Sequence, residues 1–370
     1  MKPSLDLSLS GSIRACRHLT ALAHSSFVPA FALLPADKRQ AMEILYAYTR
    51  FTDDLADLPD YSEGGSSVII SLRRRRQKLN QWIGALEAVL GKIGGENPPQ
   101  VNSPPQIDPR DEQTFQKIAQ NFPGCAGLVF LPALKMIVDT YNIPREPLFH
   151  LIDGIESDME PKPFPTFDES ADYCHQVATS VGFASLSILG TTRPLFSDSV
   201  VRAAKACGVA FQWTNIIRDL SEDYRNGRIY LPQSELERFC LTEKQFGSLL
   251  HMTEWNKQKK PPKKGEHHDP YDFTNRLREM DKLEDKFFKL LSYQLERCEV
   301  YYENSCPLYN MIHQDSRRTF GLMWNYYYAL FRKIARHPLL VTKEKRVRLS
   351  SGKKIRLWLR WRFMPCRRLR

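Results

Sequence analysis

The sequence predicts an all-α protein, and three observations predict it. Apolar residues recur at helical spacing through most of the 370 residues. Alternating runs between Gly or Asn turns, the mark of half-buried strands, are nearly absent. The composition, 42% hydrophobic and 11% aromatic, is that of a chain with a large core.

Taken in order, the periodicity places helices at about 13–24, 36–58 and 66–92, the second stopped by Pro59. Further helices are expected at 112–122, 124–141, 145–157 and 168–190. A long one at 197–224 should end near Asn226-Gly227, where glycine closes a helix. The remainder are at 242–253, 272–304, 314–336 and 348–360. Gly91 to Asp111, with five prolines, and Lys257 to Pro270, reading KQKKPPKKGEHHDP, look like polar surface insertions at about 91–111 and 257–270.

Several classes are set aside by composition. The N-terminal MKPSLDLSLSGSIRACRH is interrupted by Asp6 where an export signal needs an apolar run, so a cytoplasmic address is expected. The longest apolar stretch, Gly124 to Val138, contains Pro132 and Lys135 and is too short to span a bilayer. Eight cysteines without a C-x-x-C pair speak against a zinc ribbon or a redox pair. The net charge of +11 calls for an anionic partner, whether nucleic acid, lipid or a phosphorylated substrate.

Two acidic clusters stand where a helix tolerates them least. In ILYAYTRFTDDLADLPD, Asp53, Asp54 and Asp57 occupy the last turns before Pro59. In GVAFQWTNIIRDLSEDYRNGRIYLP, Asp219, Glu222 and Asp223 do the same before Asn226-Gly227. Carboxylates at the negative end of a helix dipole are unfavourable by up to about 1 kcal/mol each unless a cation is near. Arginines are interleaved: Tyr46, Arg50, Asp53 and Asp57 share one face, Gln212, Asn215, Asp219 and Asp223 form a polar stripe, and Arg218 and Arg228 flank it. A solvated acidic helix end explains either cluster alone. The pair fits a diphosphate held by guanidinium forks and by carboxylates acting through a hard divalent ion.

At these residues the chain resembles the squalene/phytoene synthase family. Asp53 and Asp57 match a D-x-x-x-D motif. Gln212-x-x-Asn215-Ile216-Ile217-Arg218-Asp219-x-x-Glu222-Asp223, followed by Gly227-Arg228-x-Tyr230-Leu231-Pro232, matches the longer second motif. Ser26-Phe27, Leu34-Pro35, Tyr46-Ala47-Tyr48 and Val177-Ala178-x-x-Val181-Gly182 follow the family order, and the likeness covers roughly residues 20–340. The tail RVRLSSGKKIRLWLRW is similar to that of bacterial squalene-pathway and some carotenoid members. Ala23-His24-Ser25 departs from the Ser/Lys run common in relatives.

The resemblance implies one isoprenoid-synthase catalytic domain over 21–340, after a lead-in at 1–20 and before a basic tail at 341–370. Its fold would be a helical barrel around a deep apolar pocket. By the same resemblance Asp53, Asp57, Asn215, Asp219 and Asp223 would hold Mg2+. Ser26, Phe27, Tyr46, Arg50, Gln212, Arg218 and Arg228 would meet the prenyl diphosphates. Asp53, Asp57, Asp219, Asp223, Tyr46 and Arg50 would carry the chemistry.

The implied reaction joins two allylic prenyl diphosphates head to head, with diphosphate leaving one of them to generate an allyl cation. Phe27, Phe31 and Trp213 are candidates to face that cation, although each also suits ordinary packing. Bulky Phe27 and Phe31 favour two farnesyl (C15) donors and a presqualene diphosphate or squalene-type C30 product of a hopanoid or carotenoid route. The alternative is phytoene formation from two geranylgeranyl (C20) donors. No dinucleotide fingerprint supports NADPH use, which helical relatives manage without one.

A terpene cyclase or chain-elongating prenyl transferase would differ in its motifs; elongating enzymes resemble D-D-x-x-D in both positions, a form the Asn215 to Asp223 run lacks. A catalytically silent assembly partner fits poorly with retention of every acid and arginine. Nucleic acid is not expected as a partner, because the densest basic segment lies in the tail, away from the polar stripes. The tail, with Lys353, Lys354, Arg356, Arg360 and Arg362 among Leu357, Trp358, Leu359, Trp361 and Phe363, suits a peripheral membrane contact and a packed terminal helix equally.

Overall fold

The computed structural model describes residues 6–23, 25, 27–57, 68–92, 107–122, 125–251, 270–343, 345–363 and 369. Among them the chain is helical throughout, with one isolated β-bridge between Thr191 and Ile312. The helices α1 (Leu9–Leu22), α2 (Val28–Phe31), α3 (Ala36–Asp57) and α4 (Val68–Leu90) open the chain. Next come α5 (Glu112–Asn121), α6 (Leu131–Thr140) and α7 (Arg145–Ser157). The expected helix at 168–190 is α8 (Phe167–Cys174), a π-turn (His175–Thr179) and α9 (Ser180–Leu189). The rest are α10 (Asp198–Arg225), α11 (Gln233–Arg238), α12 (Glu243–Leu250), α13 (Pro270–Ser305), α14 (Leu308–Met311), α15 (Gln314–Arg336) and α16 (Ser351–Phe363). The insertion at 257–270 lies outside the described residues but for Pro270, and that at 91–111 is described only at 91, 92 and 107–111.

The long helix α10 is the axis of the molecule. Val200, Ala203, Ala204, Cys207, Val209, Ala210, Trp213, Ile216, Ile217 and Leu220 are all buried, on every side of it except that of the Gln212, Asn215 and Asp219 stripe. A helix apolar around most of its circumference belongs in the interior, and its run of Ala and Gly lets neighbours approach closely. α13 packs along it, and the π-turn crosses it at Gly208, where an added Cβ would stand 2.8 Å from the Thr179 Cα. Gly190 ends α9 at φ 78° and ψ 145°, a conformation open essentially to glycine alone. Its carbonyl accepts from the His313 N–H at 3.0 Å, which ties the end of α9 to the start of α15.

Buried polar groups are paired where the helices meet. Tyr48 donates to the Leu148 carbonyl at 2.6 Å, and Trp82 Nε1 to Thr52 Oγ1 at 3.0 Å, fixing α3 against α7 and α4. Glu235 receives Gln294 Nε2 at 2.6 Å and Arg297, whose guanidinium lies 3.8 Å from the centre of the Phe167 ring. This pins α11 and α8 to α13. Cys16, Cys125, Cys174, Cys207 and Cys298 are buried thiols. No helix of the described residues is long and apolar enough to cross a membrane.

Two helical glycines separate packing from space. Gly208→Val must push the Thr179 backbone aside and is expected to lose roughly 1–3 kcal/mol in urea unfolding. At Gly182 an added Cβ meets nothing within 4 Å, so Gly182→Ala should leave stability unchanged or raise it slightly.

Candidate active site

α3, α9, α10 and α15 stand around a cavity of about 1310 Å³, larger than the roughly 300–1,000 Å³ usual for a single small ligand. Its two ends differ. Lys38, at the start of α3, donates to the Leu189 carbonyl at 2.9 Å, so the first turn of α3 and the last of α9 meet at the apolar end, among Met42, Leu45, Leu186 and Leu189. The last turns of α3 and α10 meet at the polar end, with Arg50, Asp53, Asp54, Asn215, Arg218, Asp158 and Arg346 on its wall. The acids of α3 and the Gln212, Asn215 and Arg218 face of α10 therefore share one end of the cavity, whereas Asp219, Asp223 and Arg228 are not among the residues that line it.

On α3, Arg50 binds Asp54 at 2.5 Å and lies 3.9 Å from Asp53. Asp57 closes the helix, and its side chain lies outside the described residues, as does Ser26. The neighbouring Ser25 lines the cavity with Tyr46. Burial, only partly offset by Ser25 and Arg50, raises the Tyr46 hydroxyl above its ordinary pKa, so it stays a neutral phenol.

On α10, Gln212, Asn215 and Arg218 face the cavity, and Asn215 donates to Gln212 Oε1 at 3.3 Å. Asp219 is held by two guanidinium groups, Arg218 through bonds of 2.8 and 2.5 Å and Arg346 through Nε at 2.8 Å and a second, shorter bond. Burial pushes the Asp219 carboxyl up, but these bonds and charges outweigh it and hold the group below the usual carboxylate range. Asp223 goes the other way, to about 8, because burial and the charges of Asp219, Glu222 and Asp158 outweigh Arg228. Arg228 donates to the Asp158 carbonyl at 3.1 Å, so it sits between the two acids.

Four residues here escaped the sequence reading. Asp158 follows the last turn of α7, and its carboxylate accepts from Tyr173 and Tyr230, each at 2.8 Å. The segment GIESDME held the available signal, an acid at a helix end. Phe211 and Tyr327 form an aromatic stack with Phe27, the Tyr327 ring 4.8 Å from Phe27 and 4.6 Å from Phe211. Arg346 lies 127 residues from its partner, and no local pattern announces that pairing. Trp213, by contrast, is fully buried edge-on to Phe167, 5.1 Å away, and does not line the cavity.

Do these residues suit magnesium? Asn215 Oδ1 is buried on the cavity wall without a hydrogen-bond partner, and the carboxylates around it are crowded enough to raise Asp223. Oxygen donors with nothing to accept from and excess negative charge are what a hard divalent cation satisfies. Among the described residues no three His, Cys, Asp or Glu side chains yet converge as a ready metal centre. Asp219 explains part of this, since a carboxylate offers about four acceptor positions and two arginines fill them.

The comparisons agree with this geometry. The squalene/phytoene synthase profile matches residues 21–255. The chain belongs to the squalene/phytoene synthase family. It is 29% identical to a 15-cis-phytoene synthase of Synechococcus elongatus over 65% of this chain and 68% of that protein. With a phytoene synthase of Arthrospira platensis the identity is 31%, over 63% and 65%. The chain spans about half to two thirds of the length of the curated relatives it matches. Among solved structures, a dehydrosqualene synthase superposes with a TM-score of 0.62 at 22% identity, over 96% of both chains. The squalene synthase HpnC of Alicyclobacillus acidocaldarius gives 0.58 at 20%, over 89% of this chain and 94% of that one. These two establish the family's all-α isoprenoid-synthase fold for the chain.

Arg346 occupies acceptor positions on Asp219 that a cation would use, and its side chain is 43% exposed. Releasing so screened a pair is worth about 1 kcal/mol. Arg346→Ala should therefore tighten Mn2+ binding, read by electron paramagnetic resonance of the free ion, by ~5-fold. Unchanged affinity would remove Asp219 from the ligand set.

Proposed function

We propose that the chain condenses two geranylgeranyl diphosphates head to head into a phytoene-type C40 hydrocarbon. The observation that carries the general reaction is a large cavity with the guanidinium groups of Arg50, Arg218 and Arg346 and the carboxylates of Asp53, Asp54 and Asp158 on its polar wall. Two prenyl chains can lie in the apolar part while both diphosphates stay at the polar end. The choice of C20 over C15, which the sequence alone held in second place, is supported by the names of the sequence relatives. The cavity wall is also long enough for the longer donor. Along α8, the π-turn and α9, a rise of about 1.5 Å per residue puts Gly182 roughly 13 Å and Leu189 roughly 24 Å beyond Tyr173. Gly182 leaves that wall open.

In this reading Arg50, Arg218 and Arg346 take the diphosphate oxygens through their forks. Asp53, Asp57, Asn215, Asp219 and Asp223 would hold magnesium, which would supply the positive charge that stabilises the leaving diphosphate. The C–O bond of the first donor breaks, its diphosphate departs, and the allyl cation is attacked by the double bond of the second donor. Proton loss gives a cyclopropylcarbinyl diphosphate. Tyr46 remains a phenol and positions the donor, so the departing diphosphate is the base. Loss of the second diphosphate, rearrangement and loss of a second proton complete a C40 triene at its centre, and no reductant is consumed. The Phe27, Tyr327 and Phe211 rings line the path with aromatic faces and exclude water.

Purified protein with Mg2+ should release diphosphate and form a C40 product from geranylgeranyl diphosphate without NADPH, read by mass spectrometry of the extracted lipid. A C30 product from farnesyl diphosphate alone would restore the shorter reading. Asp53→Asn and Asp219→Asn should each lower turnover at least 100-fold with unchanged helical circular dichroism. Full activity in both would sink the diphosphate clamp. Gly182→Leu, which fills the wall at mid-depth, should lower kcat/KM for the C20 donor ~10-fold or more while sparing a C15 donor.

A further inference from the structure

The net charge of the chain is not spread over its surface. Residues 345–370 contain eleven Lys and Arg and no Asp or Glu. Removing those eleven from the chain's 53 basic residues leaves 42, equal to its 42 acidic ones. The body is electrically balanced, and the whole formal charge of +11 resides in one terminal segment.

The helix of that segment is α16, and its two faces differ. The inner face is structural: Leu357 and Trp361 are buried, Trp358 Nε1 donates to the Pro29 carbonyl at 3.1 Å, and Tyr326 donates to the Lys354 carbonyl at 3.1 Å. Lys354 itself lines the cavity. The outer face carries Ile355, Leu359 and Phe363 at four-residue spacing, 59%, 45% and 70% exposed. Lys353, Arg356, Arg360 and Arg362, all exposed, border that ridge. Nothing among the described residues covers this ridge, which is unfavourable in water.

We infer that the outer face of α16 is a docking surface for an anionic lipid bilayer, with Ile355, Leu359 and Phe363 entering the acyl boundary and the bordering basic residues meeting the headgroups. A helix packed by one face and bearing an apolar ridge between cations has the form of an interfacial helix. The concentrated positive charge complements an anionic leaflet. Nucleic acid would use the cations but not an aliphatic ridge, since RNA recognition needs flat aromatic platforms or polar edges. Because the same helix lines the cavity with its other side, the docked lipid would lie one helix away from the apolar chains inside. This inference concerns binding alone and is independent of which donor is condensed.

The test is flotation of the full chain, without substrate, with phosphatidylcholine vesicles and with vesicles also containing phosphatidylglycerol. The wild type should float with the anionic vesicles at least 10-fold more tightly than with the neutral ones, and less so as salt is raised. Ile355→Ser/Leu359→Ser/Phe363→Ser should lose at least 10-fold of the anionic binding. Its side chains are exposed, and circular dichroism checks that it folds. Arg356→Gln/Arg360→Gln, which leaves the ridge intact, should weaken binding and flatten its salt dependence. Failure of the wild type to float with anionic vesicles overturns the inference, as does a folded triple variant that binds as well as wild type. Preferential binding to poly(U) in competition with anionic vesicles also overturns it.

Discussion

Negative charge gathered at the wrong ends of helices is the constraint around which the cavity mouth is organised. α3 and α10 finish in carboxylates and α7 is followed by one, so three negative helix ends and their acids crowd together. Each acid opposes its own dipole, and burial adds to the cost. The chain answers with arginine: Arg50 on Asp54, Arg218 and Arg346 on Asp219, Arg228 between Asp158 and Asp223. The compensation is incomplete at Asp223, whose proton is held to about pH 8, and at the orphaned Asn215 oxygen. These two features support our proposal that the site takes a divalent cation and a polyanion together.

The rest of the fold serves that mouth. The glycine and alanine surface of α10 lets α13 and the π-turn close on it, which sets the Gln212 to Arg218 face toward the cavity. The π-turn inserts between α8 and α9 where Val177 and Ala178 reach the cavity wall. It lets α8 present Tyr173 to Asp158 while α9 lines the apolar depth. Residues 346–349 and Lys354 complete the wall, so the basic C-terminal segment is part of the site and not an appendage to it.

Much of this was legible in the sequence. Helical periodicity located the long helices, α7 and α15 to the residue, because each buries a continuous stripe. It passed over α2, α11 and α14, which are too short to show a period. It also could not see the π-turn, since one inserted residue leaves the apolar pattern nearly intact. At the site, Arg50, Gln212, Asn215, Arg218 and Asp219 were readable because each sits in a local pattern whose charge conflicts with its helix. Arg346 and Tyr327 were not, because their importance comes from contacts made across the fold. Trp213 was read by proximity in sequence, yet a helix turns a neighbour by about 100°, enough to send its ring into the core.

The account turns on one cavity taking two prenyl diphosphates at a shared polar end. The direct measurement is the stoichiometry of a geranylgeranyl thiodiphosphate, which resists ionisation, titrated calorimetrically into the protein with saturating Mg2+. The account predicts two equivalents bound per chain, and none of comparable affinity when Mg2+ is chelated. One equivalent at saturation, or binding indifferent to Mg2+, would contradict it.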